Sequence, residues 1–207
     1  MATIHQATLI PTKLELLAAW LPGRHWYPGD DIKDLERIAG CRFDDPAGEV
    51  GVEMLVVRAG GGPLVHVPMT YRGAPLEDGD SFLIGETEHE VLGHRWVYDA
   101  VGDPVFVAAL ADAIRTGGHE AEEMVQTPSG PQRREPSMTV RGSGTATHAD
   151  PAGRLVRVEA GDPAVVAAEG VRAEVRRVLN PNPADTPLHL TANWPGLPRP
   201  LVLAVLV

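Results

Sequence analysis

The chain has 207 residues, 43% of them hydrophobic and 22% charged, which is enough to bury a core of ordinary size. Its formal net charge of −10 argues against nucleic acid and anionic membrane surfaces as partners. No apolar run reaches the roughly 20 residues that span a bilayer, the start has no leader pattern, and the single cysteine, Cys41, allows no intrachain disulfide, so a cytoplasmic protein is expected.

Ala2 to Leu9 alternates as a first strand should, and Pro11 stops it. Thr12-Lys13-Leu14-Glu15 then reads as a capping box, followed by Leu14, Leu17 and Leu21 at helical spacing and an end at Pro22-Gly23. Arg37 to Phe43, Val50 to Val57 and Leu64 to Tyr71 are strands separated by turn-forming stretches. Pro68 cannot donate to a ladder and points to an edge or a bulge. Phe82 to Ile84 and Arg95 to Tyr98 are shorter strand candidates. Asp103 and Pro104 open a second helix, Phe106, Ala109, Leu110, Ala113 and Ile114 form its stripe, and Gly117-Gly118 ends it.

The character then changes. Residues 126–136 are polar and contain proline, and read as a linker or loop. Strand candidates follow at Ser137 to Ala146, Arg154 to Glu159, Val165 to Ala168, Val171 to Leu179, Leu188 to Ala192 and Leu201 to Val207, with no helix among them. The expected fold class is α+β with an antiparallel bias, in which residues 1–125 carry the helices and residues 137–207 form a mostly β region packed on or extending the first.

The densest polar string, Gly85 to Asp99, tempts a metal reading. His89 and His94 are five apart, however, so on a helix their rings would diverge by about 140°, and no third ligand is evident. A surface turn with satisfied histidines is expected there, with no metal and no cofactor. There is no phosphate-binding Gly-rich loop ending in lysine and no nucleophile elbow, and His148-Ala149-Asp150-Pro151 lacks the companions of a phosphotransferase catalytic loop. Gly142-Ser143-Gly144 reads as a bend in a strand. No catalytic residue is nominated.

Two aromatic strings stand out. Trp26 and Tyr27 lie in Arg24-His25-Trp26-Tyr27-Pro28-Gly29, and Trp96 lies in Arg95-Trp96-Val97-Tyr98-Asp99. Tryptophan and tyrosine beside arginine and aspartate suit packing within the fold, a protein interface or a small-ligand pocket. Trp96 is expected to anchor the junction between sheet and second helix. Glu88, His89 and Arg95 are the better candidates for contact, with Asp99, Trp26 and Tyr27 completing the candidate binding set.

These strings also carry a family likeness. Leu14-Glu15-Leu16-Leu17 to Trp20-Leu21 with Arg24-His25-Trp26-Tyr27 resembles the opening helix and aromatic turn of actinobacterial maltokinase N-terminal caps. Gly85-Glu86-Thr87-Glu88-His89, Leu92-Gly93, Trp96 to Ala100 and Asp103-Pro104-Val105 resemble the second cap segment. The resemblance spans roughly residues 2 to 120 and implies a stand-alone cap-like protein without the kinase domain. It further implies a curved, cystatin-like antiparallel sheet packed on helices that contributes no catalytic residue. The function it implies is a non-catalytic interaction or regulatory module, with a protein partner or a homo-oligomer, in a context of α-glucan, trehalose and glycogen metabolism. The alternative from the residues is a protein that holds a small molecule, such as a saccharide, between sheet and helices. A filled, apolar sheet interior favours the first and a polar, aromatic-lined cavity the second.

Overall fold

The structure is a computed structural model that describes residues 2–5, 8–29, 32–127, 130–184 and 186–207. The first helix, α1 (Lys13–Trp20), starts where the capping box places it: the Glu15 carboxylate accepts from the Thr12 amide at 2.7 Å, and the Thr12 hydroxyl accepts from the Glu15 amide at 3.3 Å. A single 3-10 turn, Leu21–Gly23, carries the chain off the helix.

The stretch expected as one strand before it is divided between two sheets. β1 (Ala2–His5) pairs in parallel with β8 (Glu123–Thr127), whereas β2 (Leu9–Ile10) pairs with β6 (Leu83–His89). β3 (Leu35–Phe43), β4 (Gly51–Ala59), β5 (Val65–Arg72) and β7 (Gly93–Asp99) complete a six-stranded antiparallel sheet in the order β2-β6-β7-β5-β4-β3. The string from Gly85 to Asp99 is therefore mostly the β6–β7 hairpin, closed by Gly93 at φ 72: Arg95 to Tyr98 lies in β7 as expected, and Gly85 to His89, expected as part of a surface turn, lies in β6. Its polarity reflects one open face, and the opposite face buries Thr87 and Val97.

β8 is followed by β9 (Gly130–Arg134), which pairs back on it. Residues 126–136 thus contain the end of β8 and all of β9 where a loop was expected. β9 is exposed along most of its length, so it shows no apolar alternation, and an Arg134–Glu123 ion pair at 2.7 Å fixes it to β8. β10 (Thr139–Gly142), β11 (Leu155–Glu159), β12 (Ala164–Ala168), β13 (Val171–Val175), β14 (His189–Asn193) and β15 (Leu201–Leu206) build a second six-stranded antiparallel sheet, ordered β10-β14-β15-β13-β12-β11. β15 lies inside this sheet and is buried on both faces, which explains its unbroken apolar run. The balance is mostly β, with two α-helices.

α1 covers one face of the first sheet: Leu16, Leu17, Trp20 and Leu21 pack against Leu55, Val57, Val67, Met69 and Val97. Gly85 allows that approach, because a Cβ there would lie 2.7 Å from Leu16 Cδ2. The other face, at its β3–β4 end, packs Cys41, Phe43, Val52, Met54 and Val56 into one buried cluster with α2 (Pro104–Thr116) and the second sheet. This shared cluster joins the two six-stranded sheets. Burial pushes the Cys41 thiol well above its usual range.

α2 is capped at both ends. The Asp103 carboxylate accepts from the Val105 amide at 2.9 Å, and Gly117 adopts the left-handed conformation at φ 69. Beyond it the amides of Gly144 and Ala146 donate to the carbonyls of Ile114 and Arg115 at 2.8 and 3.0 Å. A Cβ at Gly142 would lie 1.8 Å from the Ala113 carbonyl oxygen, and one at Gly144 2.1 Å from that of Arg115. Gly142-Ser143-Gly144 is thus the point where a strand end satisfies the last helical carbonyls at backbone contact.

Pro68 sits on an interior strand, contrary to the edge expectation, and the reason is local. Beyond β4, the first half of β5 is bordered by residues 176–179, with the His66 amide donating to Arg177 O at 2.7 Å. The second half is paired with β7 from Met69 onward. Alternate amides point the same way, so Pro68 lacks its N–H on the side where one neighbour has ended and the next has just begun.

Candidate functional site

Polar and aromatic side chains cluster in three places, and the first and third hold most of the expected contact residues. The first is a buried junction. After Val175 the chain leaves the second sheet and runs beside β5, which carries Arg177 to the end of β7. Arg177 is fully buried, and its Nη2 donates to both Asp99 oxygens at 2.9 and 2.7 Å. Its guanidinium lies 4.8 Å from the centre of the Trp26 ring, and Trp26 in turn meets Trp20 edge-on at 5.8 Å. His66 is buried alongside; burial holds its imidazole down to about 3, so it is neutral. Its Nδ1 lies 3.0 Å from the Arg176 carbonyl, which can only accept, so Nδ1 carries the proton. Asp99 and Trp26, expected among the contact residues, are buried at 2% and 7% exposure and serve this junction. Tyr27 is half-buried beside them in sequence and lies against Gly29, where a Cβ would meet its hydroxyl at 2.7 Å.

The second place ties α1 to the sheet edge. Glu53 is buried, accepts from the Tyr71 hydroxyl at 2.9 Å and from the Lys13 ammonium, and has Arg42 at 4.0 Å. Burial alone would raise its pKa; the Lys13 and Arg42 charges and the two hydrogen bonds outweigh it and bring it to about 2. Glu53 is therefore a charged structural tether at neutral pH.

The third place is solvent-facing. Ile10 pairs with Glu88, Glu88 with His94 and Glu86 with Trp96, so these five side chains share one face of β2, β6 and β7. This is the face that α2 and the second sheet cover at its β3–β4 end and leave open here. His94 Nδ1 lies 2.6 Å from Glu88 Oε1 and its Nε2 lies 3.1 Å from Glu86 Oε2. The Glu88 hydrogen bond and the two carboxylate charges raise the imidazole's pKa. Trp96 is half-buried and meets the His94 ring edge-on at 4.4 Å, while Ile10 is 69% exposed.

Of the expected contacts, this open face brings together Glu88 and Trp96 only. His89 sits at the hairpin turn, where its Nδ1 accepts from the Val91 and Leu92 amides, both at 3.2 Å. Arg95 lies on the reverse face, half-buried, and donates to the His94 carbonyl at 3.0 Å. Glu86 and His94 were not singled out as contacts, although the alternation Glu86, Glu88 across from His94, Trp96 was available as a signal. Arg177 was missed as well; its signal is a break in alternation, since Val171, Ala173 and Val175 alternate with Arg172, Glu174 and Arg176 and an arginine stands where the next apolar residue is due. Among the described residues, no cluster of histidine, cysteine, aspartate or glutamate is arranged to hold a metal ion, and no helix is long and apolar enough to cross a membrane.

Strands β3 to β7 of the first sheet and the turn that carries Trp26 lie in a segment that matches a known domain. Residues 20–103 match the maltokinase N-terminal cap domain. The cap match runs from the last residue of α1 through β3 to β7 and ends at Asp103, the N-cap of α2. It covers less than half of the chain and excludes the second sheet, so it is narrower than the likeness read from the sequence. No curated protein matches the chain.

Proposed function

We propose that the protein is a non-catalytic interaction module: a relative of the maltokinase cap that contacts a protein partner, another chain or a second copy, through the open end of its first sheet. The observation that carries this reading is the filled interior. Leu17, Leu21, Leu55, Val57, Val67, Met69 and Val97 between α1 and the sheet all have 0% exposure, which leaves no room there for a ligand. What the first sheet offers to solvent is the face of Ile10, Glu86, Glu88, His94 and Trp96, a mixed apolar and charged patch of the kind protein contacts use. In this reading the sheet on α1 is the cystatin-like body of a cap. The setting is cytoplasmic, and the partner belongs to α-glucan or trehalose metabolism, as the cap family suggests.

A saccharide-binding reading has one observation in its favour: a half-exposed Trp96 ring flanked by the Glu86 and Glu88 carboxylates, which suits stacking on a sugar and accepting from its hydroxyls. One set of assays separates the readings. Incubation with ATP, magnesium and maltose is expected to leave maltose phosphate at background, and titration with maltose or maltotetraose is expected to leave tryptophan fluorescence unchanged. Phosphorylated product would sink the non-catalytic reading. A saccharide-dependent fluorescence change lost in Trp96→Ala would replace the protein-contact reading with the saccharide one.

A further inference from the structure

α2 is unusual for a helix at the surface. Of its side chains only Asp112 and Arg115 are charged, and Phe106, Val107, Leu110, Ala111 and Ile114 already bury one face against both sheets. A helix of this kind normally buries a polar-free surface on all sides. Here the outer face, Val105, Ala108 and Ala109 at spacing i, i+3 and i+4, stays half-exposed and forms the floor of a groove of about 850 Å³. The β3–β4 turn, with Pro46 and Ala47, residues 118–122 and residues 149–151 line its walls. From Pro104 to Ala113 the floor is about 14 Å long at 1.5 Å per residue, which is two to three helical turns.

The charge around the groove is mostly negative. Its lining includes Asp44, Asp45, Asp112, Glu120, Glu122 and Asp150 with His119, and no lysine or arginine. Asp45 accepts from the Ala47, Glu49 and Val50 amides, Glu120 from the Val140 amide, and Glu122 lies 3.4 Å from Arg133, so Asp112 and Asp150, both exposed, are the carboxylates best placed for an incoming cation. Arg115, the one cation of α2, is turned aside and donates to the carbonyls of Asp150 and Gly170 at 3.0 and 2.6 Å. An apolar floor with carboxylates beside it complements a helix that carries an apolar stripe flanked by cations.

We propose that this groove is a second docking site, which takes the apolar stripe of a basic amphipathic helix from a partner protein. The stripe lies over Val105, Ala108 and Ala109, and its lysines or arginines meet Asp112 and Asp150. The small floor residues set how closely the incoming helix approaches, and the carboxylates set its sign. This site lies on α2 and does not depend on the open face of the first sheet.

The test uses the full chain and a synthetic helix of leucine and lysine at helical spacing, with a leucine–glutamate helix and spermine as controls. Calorimetry is expected to give micromolar affinity for the lysine helix, weakening as salt is raised, and no binding of the glutamate helix. Ala109→Arg, which fills the floor and adds the wrong charge, is expected to lower affinity at least tenfold, as is the double variant Asp112→Lys/Asp150→Lys. Circular dichroism of each variant checks that the fold is retained, and the exposed double variant decides should Ala109→Arg unfold. Equal binding of the lysine helix to wild type and the folded variants would show that the general negative charge, not the groove, attracts it. That result, equal binding of the glutamate helix, complete displacement by spermine at matched charge, or no binding of the lysine helix at all would each overturn the proposal.

Discussion

Replacing Asp99 by alanine is expected to lower folding stability by about 3–5 kcal/mol, the usual cost of stripping one partner from a buried ion pair. The size follows from the partner's position. Arg177 has 0% exposure, its Nη2 rests on both Asp99 oxygens, and its Nε and Nη1 have no other partner among the described residues. Without Asp99 the guanidinium keeps only the Trp26 ring as compensation, worth about 2 kcal/mol or somewhat more when desolvated. The pair also joins the two sheets, since Asp99 ends β7 and Arg177 follows β13. The double variant Asp99→Ala/Arg177→Met removes the stranded charge and is expected to recover most of the loss. Urea unfolding of the wild type, both single variants and the double variant measures the coupling. A single-variant loss under about 1 kcal/mol would mean that water reaches Arg177 and that the junction is open.

The second large effect is expected at Leu17→Ala, at about 2–5 kcal/mol. Leu17 is fully buried among Leu21, Leu55, Val67 and Val97, where the surrounding strands are held in register and cannot collapse into the space. Thr12→Ala, which removes only the cap of the same helix, is expected to cost about 1 kcal/mol. The ratio separates burial from capping: similar losses for the two variants, or an unchanged urea midpoint in Leu17→Ala, would mean that α1 does not clamp the sheet.

Local chemistry made part of this legible in advance. Thr12 with Glu15, and Asp103 with Pro104 and Gly117, announce helix ends through backbone donors and acceptors that neighbouring residues must satisfy: α1 starts where the first pair places it, and α2 starts and stops where the second set does. The α-helical part of α1 ends at Trp20, and a 3-10 turn covers the expected stop at Pro22-Gly23. The strands of the second half alternate or run apolar enough to be read. Features that depend on distant pairing were not legible. Arg95 to Tyr98 read as a strand, but the β6 half of the hairpin, Gly85 to His89, looked like a turn because its outer face is solvated, and residues 130–134 looked like a loop because β9 is exposed along most of its length. Pro68 argued for an edge because a sequence does not show that one strand can change neighbours midway. The candidate contacts were gathered by proximity in sequence, but alternation sends Glu88 and Trp96 to one face and Arg95 to the other, and burial removes Asp99 and Trp26 to a different site.

The central claim is that the open face of the first sheet touches a protein. Photo-crosslinking in the native host tests it most directly, with a benzophenone amino acid at position 10, where Ile10 is 69% exposed, and at position 156 as control, where Val156 on β11 is 61% exposed. The account predicts a discrete protein adduct from position 10 that is absent from position 156 and lost when Glu88→Arg is added on the same face. No adduct from position 10, the same adducts from both positions, or an adduct indifferent to Glu88→Arg would contradict it.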